Sequence, residues 1–197
     1  MVAKGSKLSK STADKIAKID GVKTTLYAPI ARGSVTVGGE ERSATLIGVP
    51  DTATLSKVLR ADLGGVSLGE GKALAPTYSA FTGKVLSFKN GQVSFTASDD
   101  SGSGEASSAN TLTFSVIQRD YRNVDTDVSV TLFVNESYFQ SKLLQADGHM
   151  LLAAVKNIDK TQWPVANLDL TLEERNNPAP SLTGLRCVGM LSAQKML

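Results

Sequence analysis

The fold is decided by the stretch Ser34-Val-Thr-Val-Gly-Gly-Glu-Glu-Arg-Ser-Ala-Thr-Leu-Ile-Gly-Val-Pro-Asp51. Two strand-forming runs, 34–37 and 42–49, flank the pair Gly38-Gly39, and glycines at such a point favour a tight turn between antiparallel strands. The stretch therefore predicts a β-hairpin. Pro50 ends the second strand, and Asp51 is placed to begin a helix.

The residues on either side of this hairpin predict two helices and one more strand. Ser11 and Asp14 have the spacing of a capping box, and Gly21 ends the first helix. A strand follows over 22–28. After the hairpin, a helix from Asp51 is predicted to close at Gly64-Gly65, because its apolar residues recur at helical spacing: Leu55, Val58, Leu59 and Leu63. The first 64 residues thus predict the order α-β-β-β-α.

Residues 65–124 have a different composition, rich in glycine and strand-forming residues. Asn90-Gly91 predicts a two-residue hairpin over 84–96, with Phe88 opposite Val93 and Leu86 opposite Phe95. A Ser- and Gly-rich segment over 99–110 predicts a loop, and a strand is expected over 111–118.

The last third of the chain returns to alternating strands and helices. Strands are expected over 127–134 and 150–155, with a helix between them that is capped by Asn135 and ends at Gly148. A helix over 164–175 and a final strand over 182–191 complete the prediction. The expected fold class is α+β: both ends of the chain, 1–64 plus 125–197, form a mixed α/β subdomain, and 65–124 forms an inserted, small β-rich subdomain.

Composition and charge exclude several classes of protein. Hydrophobic residues make up 41% of the 197 residues, which is enough to form a core. The 21 Lys and Arg residues are nearly balanced by 19 Asp and Glu and are scattered along the chain, so nucleic acid is not an expected partner. No window approaches the ~18 apolar residues of a membrane span. The chain by itself is therefore expected to be soluble.

No catalytic or metal centre is indicated by the residue types that could build one. Cys187 and His149 are the sole cysteine and histidine, and one of each cannot form a closed zinc site. Cys187 is expected to be a small buried hydrophobic residue. Glu173 and Glu174 are expected on a solvated helix face. We therefore expect no enzyme, no cofactor and no metal.

Two local patterns invite a ligand but lack the required spacing. The stretch 65–73 resembles a phosphate-binding loop, but Val66 and Ala73 stand where a Walker loop needs Gly and Ser or Thr. Asp99-Asp100 and the acidic pair of 125–127 lack the Gly and Glu positions of a calcium loop. Tight turns explain both patterns. Asn135-Glu-Ser137 fits a glycosylation sequon, but its capping role already explains the asparagine.

An interaction surface is the expected functional feature. Trp163 is the single tryptophan and is expected to be a partly buried anchor before Pro164; the alternative is a place on a binding surface, since lone tryptophans often mark interfaces. Tyr78 and Phe81 are the other two aromatic residues that we assign to a candidate interaction surface.

Four motifs, in order, resemble the extracytoplasmic domain of MacB-type and FtsX-like ABC transporter permeases. They are Ile16-Ala-Lys-Ile-Asp-Gly-Val22, Tyr27-Ala-Pro29, Val35-Thr-Val-Gly-Gly39 and Leu46-Ile-Gly-Val-Pro-Asp51. In that family a short helix ends in a Gly-Val step and leads into a strand that ends in Pro; a hairpin follows, and its second strand ends in Gly-Val before a helix. Further on, Leu112-Thr-Phe-Ser-Val-Ile117 resembles the strand that returns from the inserted β subdomain, and Thr131-Leu-Phe-Val134 with Phe139-Gln140 resembles the strand and helix that follow.

The resemblance implies a domain between two membrane helices on the extracytoplasmic face of the bacterial plasma membrane. It implies a second permease copy and a separate cytoplasmic ATPase as partners, the possibility of an extracellular partner protein, and no catalytic residues. It also implies that the two ends of the domain lie close together. The alternative hypothesis is a free-standing phage or cell-envelope structural protein, which the Ser- and Gly-rich segment and the many strands favour. An enzyme comes third and would require His149 and Cys187 to meet in one cavity.

Overall fold

The computed structural model describes residues 2–5, 8–79, 82–98, 111–121, 123–125, 128–142, 148–155 and 185–186. Its helices are α1 (Lys10–Ala17), α2 (Thr52–Leu59) and α3 (Glu136–Lys142). Its strands are β1 (Val2–Gly5), β2 (Val22–Val37), β3 (Glu40–Val49), β4 (Lys72–Pro76), β5 (Gln92–Ala97), β6 (Thr111–Arg119), β7 (Val130–Asn135), β8 (Gly148–Val155) and β9 (Leu185–Arg186). The α+β class expected from the sequence is confirmed.

All the described strands belong to one mixed sheet, and six of them close into a ring. The sheet runs in the order β3-β7-β4-β6-β5-β2-β8-β1-β9, and β3 also pairs with β2. That additional pairing joins the two ends of the series β3-β7-β4-β6-β5-β2. The pairs β3–β7 and β4–β6 are parallel, whereas the other pairs in the ring are antiparallel.

One face of the ring strands forms the inner core, and every strand of the ring contributes to it. Because side chains alternate along a strand, every second residue faces this core. Phe95 and Phe114 are fully buried within it, and Phe139 of α3 packs against it. Its other buried members are Ala31, Val35, Val37, Ala44, Leu46, Ala73, Ala75, Leu86, Val93, Val130, Leu132 and Val134.

The opposite face is covered by α2 and the segment that follows it. Leu55, Val58 and Leu59 of α2 pack with Phe133 and Met150 of the sheet. We call this second cluster the outer core. A third, smaller cluster lies under α1, where Ala13 and Ile16 contact Leu151 and Ala153 of β8.

Helix ends differ from the sequence prediction where a neighbouring residue is the better cap. Ser9 rather than Ser11 caps α1, and its side chain accepts a hydrogen bond from the Thr12 amide. Asp51 caps α2 as expected, accepting from the Thr54 amide at 2.6 Å. That helix ends at Arg60, in the left-handed region with φ 52°, and not at Gly64-Gly65. Leu63 still packs in the outer core, which explains why the apolar spacing continued past the helix.

The strand predicted to end at Pro29 continues through it. β2 is a single strand of 16 residues. Its first part, to Ile30, pairs with β8, and its second part, from Ile30, pairs with β3. Pro29 therefore lies beside the residue where β2 changes partners, a position at which a missing amide donor is tolerated.

The hairpin predicted over 84–96 is wrong, because residues 84–88 do not pair with β5. Asn90 and Gly91 adopt positive φ as expected, but they lie in a short 3-10 turn, Lys89–Gly91. β5 pairs with β6 and β2 instead, with Val93 opposite Phe114 and Phe95 opposite Leu112. Leu86, Val93 and Phe95 nevertheless share the inner core, so the apolar pattern located the buried residues but not their strand partners.

Other elements agree with the prediction to within a few residues. β6 covers the strand expected over 111–118, and β7 and β8 cover most of those expected over 127–134 and 150–155. The strands β1 and β4 were not predicted. The segments 99–110 and 164–175 lie outside the described residues, as does 182–191 except for β9. Strands from 65–124 join the same sheet as those from 1–64 and 125–197, and the division into two subdomains stays a prediction.

Candidate interaction surface

Tyr78 and Val85 are the large hydrophobic side chains that the described part of the chain leaves exposed to solvent. Tyr78 is 51% exposed and Val85 is 65% exposed. They are partners in an antiparallel bridge, so their side chains lie next to each other on one face. We call this pair the Tyr78–Val85 surface.

Hydrogen bonds on both sides of the pair hold this surface in place. The Ser79 amide donates to the Lys84 carbonyl, and the Leu86 amide donates to the Thr77 carbonyl, both at 2.8 Å. Leu86 is buried in the inner core, and its carbonyl accepts from the Gln118 side chain at 3.0 Å. The exposed pair is therefore fixed to the sheet by a buried neighbour.

The segment of chain that contains Val85 is basic. Lys84 and Lys89 are exposed, and the sequence from Thr82 to Ser98 contains no Asp or Glu. A partner that covers Val85 would thus meet positive charge on this segment.

Of the three residues assigned to an interaction surface, the structure locates Tyr78, which is exposed, and its part in an interaction stays a prediction. Phe81 and Trp163 lie outside the described residues. Val85 was missed as a surface residue. The alternation of side chains along the segment could have identified it. Leu86 and Phe88 were assigned to the buried face, so Val85, the neighbour of Leu86, belongs to the opposite face.

His149 packs against an aromatic side chain of the neighbouring strand. Its ring stacks on that of Tyr27, with 4.6 Å between centroids and 1° between planes. The Tyr27 hydroxyl in turn donates to the Leu8 carbonyl at 2.8 Å, and burial raises the pKa of Tyr27. This stack connects β8 and β2 with the residues just before α1. Cys187, the predicted small buried residue, lies outside the described residues.

Asp125 is buried and accepts hydrogen bonds from neighbouring side chains of the fold. Its carboxylate accepts a hydrogen bond from the Thr45 hydroxyl at 3.0 Å. Its carbonyl accepts from the Asn123 side chain at 2.6 Å, and the same amide donates to the Val128 carbonyl. Within the described residues no group of three or more His, Cys, Asp or Glu could hold a metal ion.

The other two patterns also have a local explanation. Gly65 and Gly71 take positive φ in the turns that lead into β4, which agrees with tight turns in the stretch 65–73. The Asn135 side chain accepts from the Tyr138 amide at 3.2 Å, so this residue caps α3. None of the helices in the described ranges is long and apolar enough to cross a bilayer.

Comparison with known proteins finds similarity at the level of structure. No family model matches the chain, and no curated protein matches it. Among solved structures, the chain is similar to the periplasmic region of MacB from Actinobacillus actinomycetemcomitans, with 15% identity, a TM-score of 0.43, and coverage of 81% of this chain and 76% of that one. It is also similar to the extracellular domain of the noncanonic ABC-type transporter YknZ from Gram-positive bacteria, with 13% identity, a TM-score of 0.43, and coverage of 81% and 86%.

Both structures are extracytoplasmic domains of the kind that the sequence motifs resemble. With identities below 25% and TM-scores below 0.5, the two matches assign neither an activity nor a partner to this chain.

Proposed function

We propose that this chain is the extracytoplasmic domain of an ABC transporter permease of the MacB-type or FtsX-like kind. The observation that carries the proposal is the pairing of β1 with β9. Val2 lies opposite Arg186, and Ala3 lies opposite Leu185. A domain inserted between two membrane helices leaves the bilayer and returns to it, so the two ends of its fold must lie side by side.

The positions of the sequence motifs in the fold support the same proposal. Gly21-Val22 connects α1 to β2, and Gly38-Gly39 is the turn between β2 and β3. Gly48-Val49-Pro50-Asp51 connects β3 to α2. The order α1-β2-β3-α2 is thus the helix, strand, hairpin and helix order on which the resemblance rests.

The proposed domain is non-catalytic and transmits movement. A separate cytoplasmic ATPase acts on the membrane helices, and these act on the two adjacent ends of the domain. The α/β subdomain, 1–64 plus 125–197, contacts a second permease copy near the membrane. The β-rich subdomain, 65–124, reaches outward to an extracellular substrate or partner, and the Tyr78–Val85 surface belongs to it.

The test begins with the parent gene. Its reading frame is expected to encode an apolar stretch of ~20 residues on each side of this segment. A Gln92→Cys variant of the full reading frame, made in a Cys187→Ser background, adds an exposed thiol on β5. We expect a membrane-impermeant maleimide to label it in intact spheroplasts. Labelling only after lysis, or a frame without the two apolar stretches, would contradict the proposal.

A further inference from the structure

The chain enters β1 and leaves β9 at the same end of the sheet. Val2, the first residue of β1, lies opposite Leu152 of β8 and opposite Arg186, the last residue of β9. β8 continues from Leu152 to Val155, which pairs with Val22 at the start of β2. Because β1 is antiparallel to both β8 and β9, it starts, and β9 stops, toward the end of the sheet that carries Val22 and Val155. We call this end the entry end.

The helix α1 brings the chain back to the entry end. Ile16 packs in the cluster that contains Leu151 and Ala153 of β8. The turn after the helix is closed by a hydrogen bond from the Val22 amide to the Ile19 carbonyl at 3.1 Å. The last turn of α1 and the turn that follows it therefore lie beside the place where the chain enters and leaves the fold.

Basic side chains outnumber acidic ones at the entry end. Lys10 and Asp14 form an ion pair with 3.0 Å between the ammonium nitrogen and the carboxylate oxygen, whereas the lysines nearer the end of the helix and at the start of β2 are exposed. The described segments that form this end, 2–3, 15–23, 152–155 and 185–186, contain the basic residues Lys15, Lys18, Lys23 and Arg186 and one acidic residue, Asp20.

We propose that the entry end contacts anionic lipid headgroups of the membrane from which the domain emerges. This inference rests on the proposed function, because membrane helices that precede β1 and follow β9 place the entry end next to the bilayer. Lysines within about one Debye length of an anionic lipid surface, ~10 Å at 0.1 M salt, are attracted to it. Lys15, Lys18 and Lys23 thus hold the end of α1 and the start of β2 against the membrane surface.

The test is co-sedimentation of the chain with vesicles made of phosphatidylglycerol and phosphatidylcholine in equal amounts. We expect the chain to sediment with ~10 mM of this lipid at low salt and to be released at about 0.5 M salt, because salt screens the attraction. Vesicles of phosphatidylcholine alone have no net charge and are expected to leave the chain in the supernatant.

The decisive variant combines Lys15→Gln, Lys18→Gln and Lys23→Gln. The matched control replaces three exposed lysines of other parts of the fold by Gln, so that both variants lose the same net charge: Lys57, Lys72 and Lys89. We expect the first variant to bind anionic vesicles at least roughly tenfold more weakly than the wild type, and the control to change binding less than about twofold. Circular dichroism and thermal unfolding of both variants check the fold.

A paramagnetic lipid measures which end of the domain meets the vesicle. Vesicles that carry a gadolinium-chelating lipid broaden the NMR signals of nearby amides. We expect broadening at 18–23 and none at the Gly38-Gly39 turn, which lies at the opposite end of β2.

Four results would overturn the inference: no binding to anionic vesicles at low salt, equal binding to phosphatidylcholine alone, equal loss of binding in the two triple variants, or broadening at Gly38-Gly39 instead of 18–23. Each of them leaves the proposed transporter domain in place. A parent reading frame without the two apolar stretches would remove the proposed function, and with it the inference, whatever the vesicles show.

Discussion

Gly33 occupies a position where a side chain has no room. It pairs with Ala44 of β3 on one edge of β2 and with Ala97 of β5 on the other. A Cβ atom at this position would lie 2.1 Å from the Thr96 carbonyl oxygen and 2.8 Å from the Phe95 ring. Because Gly33 lies where β5 joins β2, the ring of strands can close only if this residue is small.

We predict that Gly33→Ala lowers the free energy of unfolding by roughly 1–3 kcal/mol, since the backbone of β5 must move to accept the methyl group. Gly69→Ala is the matched control, because a Cβ at Gly69 meets nothing within 4 Å. Urea unfolding followed by circular dichroism measures both variants. Equal stability of the two would show that β5 does not lie against β2 as described.

At the scale of elements, the weakest pairing in the ring is the one between β4 and β7. A single residue pair, Leu74 with Phe133, connects these strands. The Tyr121 hydroxyl spans the gap, 2.9 Å from the Thr131 carbonyl and 3.3 Å from the Leu74 carbonyl. Its ring packs edge-to-face on Phe133, and desolvation by burial raises the pKa of Tyr121 well above its ordinary value.

We predict that Tyr121→Phe destabilises the protein by roughly 1–3 kcal/mol at neutral pH, because it removes the donor shared by two buried carbonyls. The raised pKa also sets the sign of the pH dependence. Above the unfolded value of about 10, the unfolded chain releases the phenol proton while the folded chain keeps it, so the stability that Tyr121 provides is lost as the pH rises.

The stability difference between the wild type and Tyr121→Phe is therefore expected to shrink above pH 10. Urea unfolding at pH 7, 9 and 10.5 measures it. The titration of lysines and of the other tyrosines contributes equally to both proteins and so cancels in the difference. A difference that stays constant across this range would contradict a tyrosine with a raised pKa.

Sequence predicts the elements of this chain where the deciding contacts are local. Asp51 caps α2 through the amide three residues on, and Asn135 does the same for α3. The hairpin predicted over 84–96 is wrong because Val93 and Phe95 pair with β6, well beyond the next turn, and not with residues 84–88. The same difference between local and distant contacts applies to the candidate surface. Tyr78 was assigned to it from its residue type alone. The exposure of Val85 depends on which strand lies beside it, and the sequence does not show that.

At the scale of the whole molecule, the two ends of the described chain meet at one side of the sheet. β8 pairs with the first part of β2, β1 pairs with β8, and β9 pairs with β1. These strands extend the sheet away from the closed ring. A pull on both ends would thus act on adjacent strands and reach the ring through β8 and β2, which is the route that the proposed coupling requires.

We predict that an Ala3→Cys, Leu185→Cys pair forms an intramolecular disulfide in a Cys187→Ser background, because these residues are register partners in an antiparallel pair. Partner residues of this kind approach within the about 4.4–6.8 Å between Cα atoms that a disulfide needs. The matched control is Ala3→Cys with Arg186→Cys, which shifts one cysteine by a single residue and turns it to the opposite face of the sheet. Thiol titration and non-reducing electrophoresis after mild oxidation are expected to show rapid loss of free thiols in the first variant and slow loss in the second. Equal rates of thiol loss in the two variants, or cross-links only between molecules, would show that β1 and β9 are not paired. The proposed insertion between membrane helices would then lose the observation on which it rests.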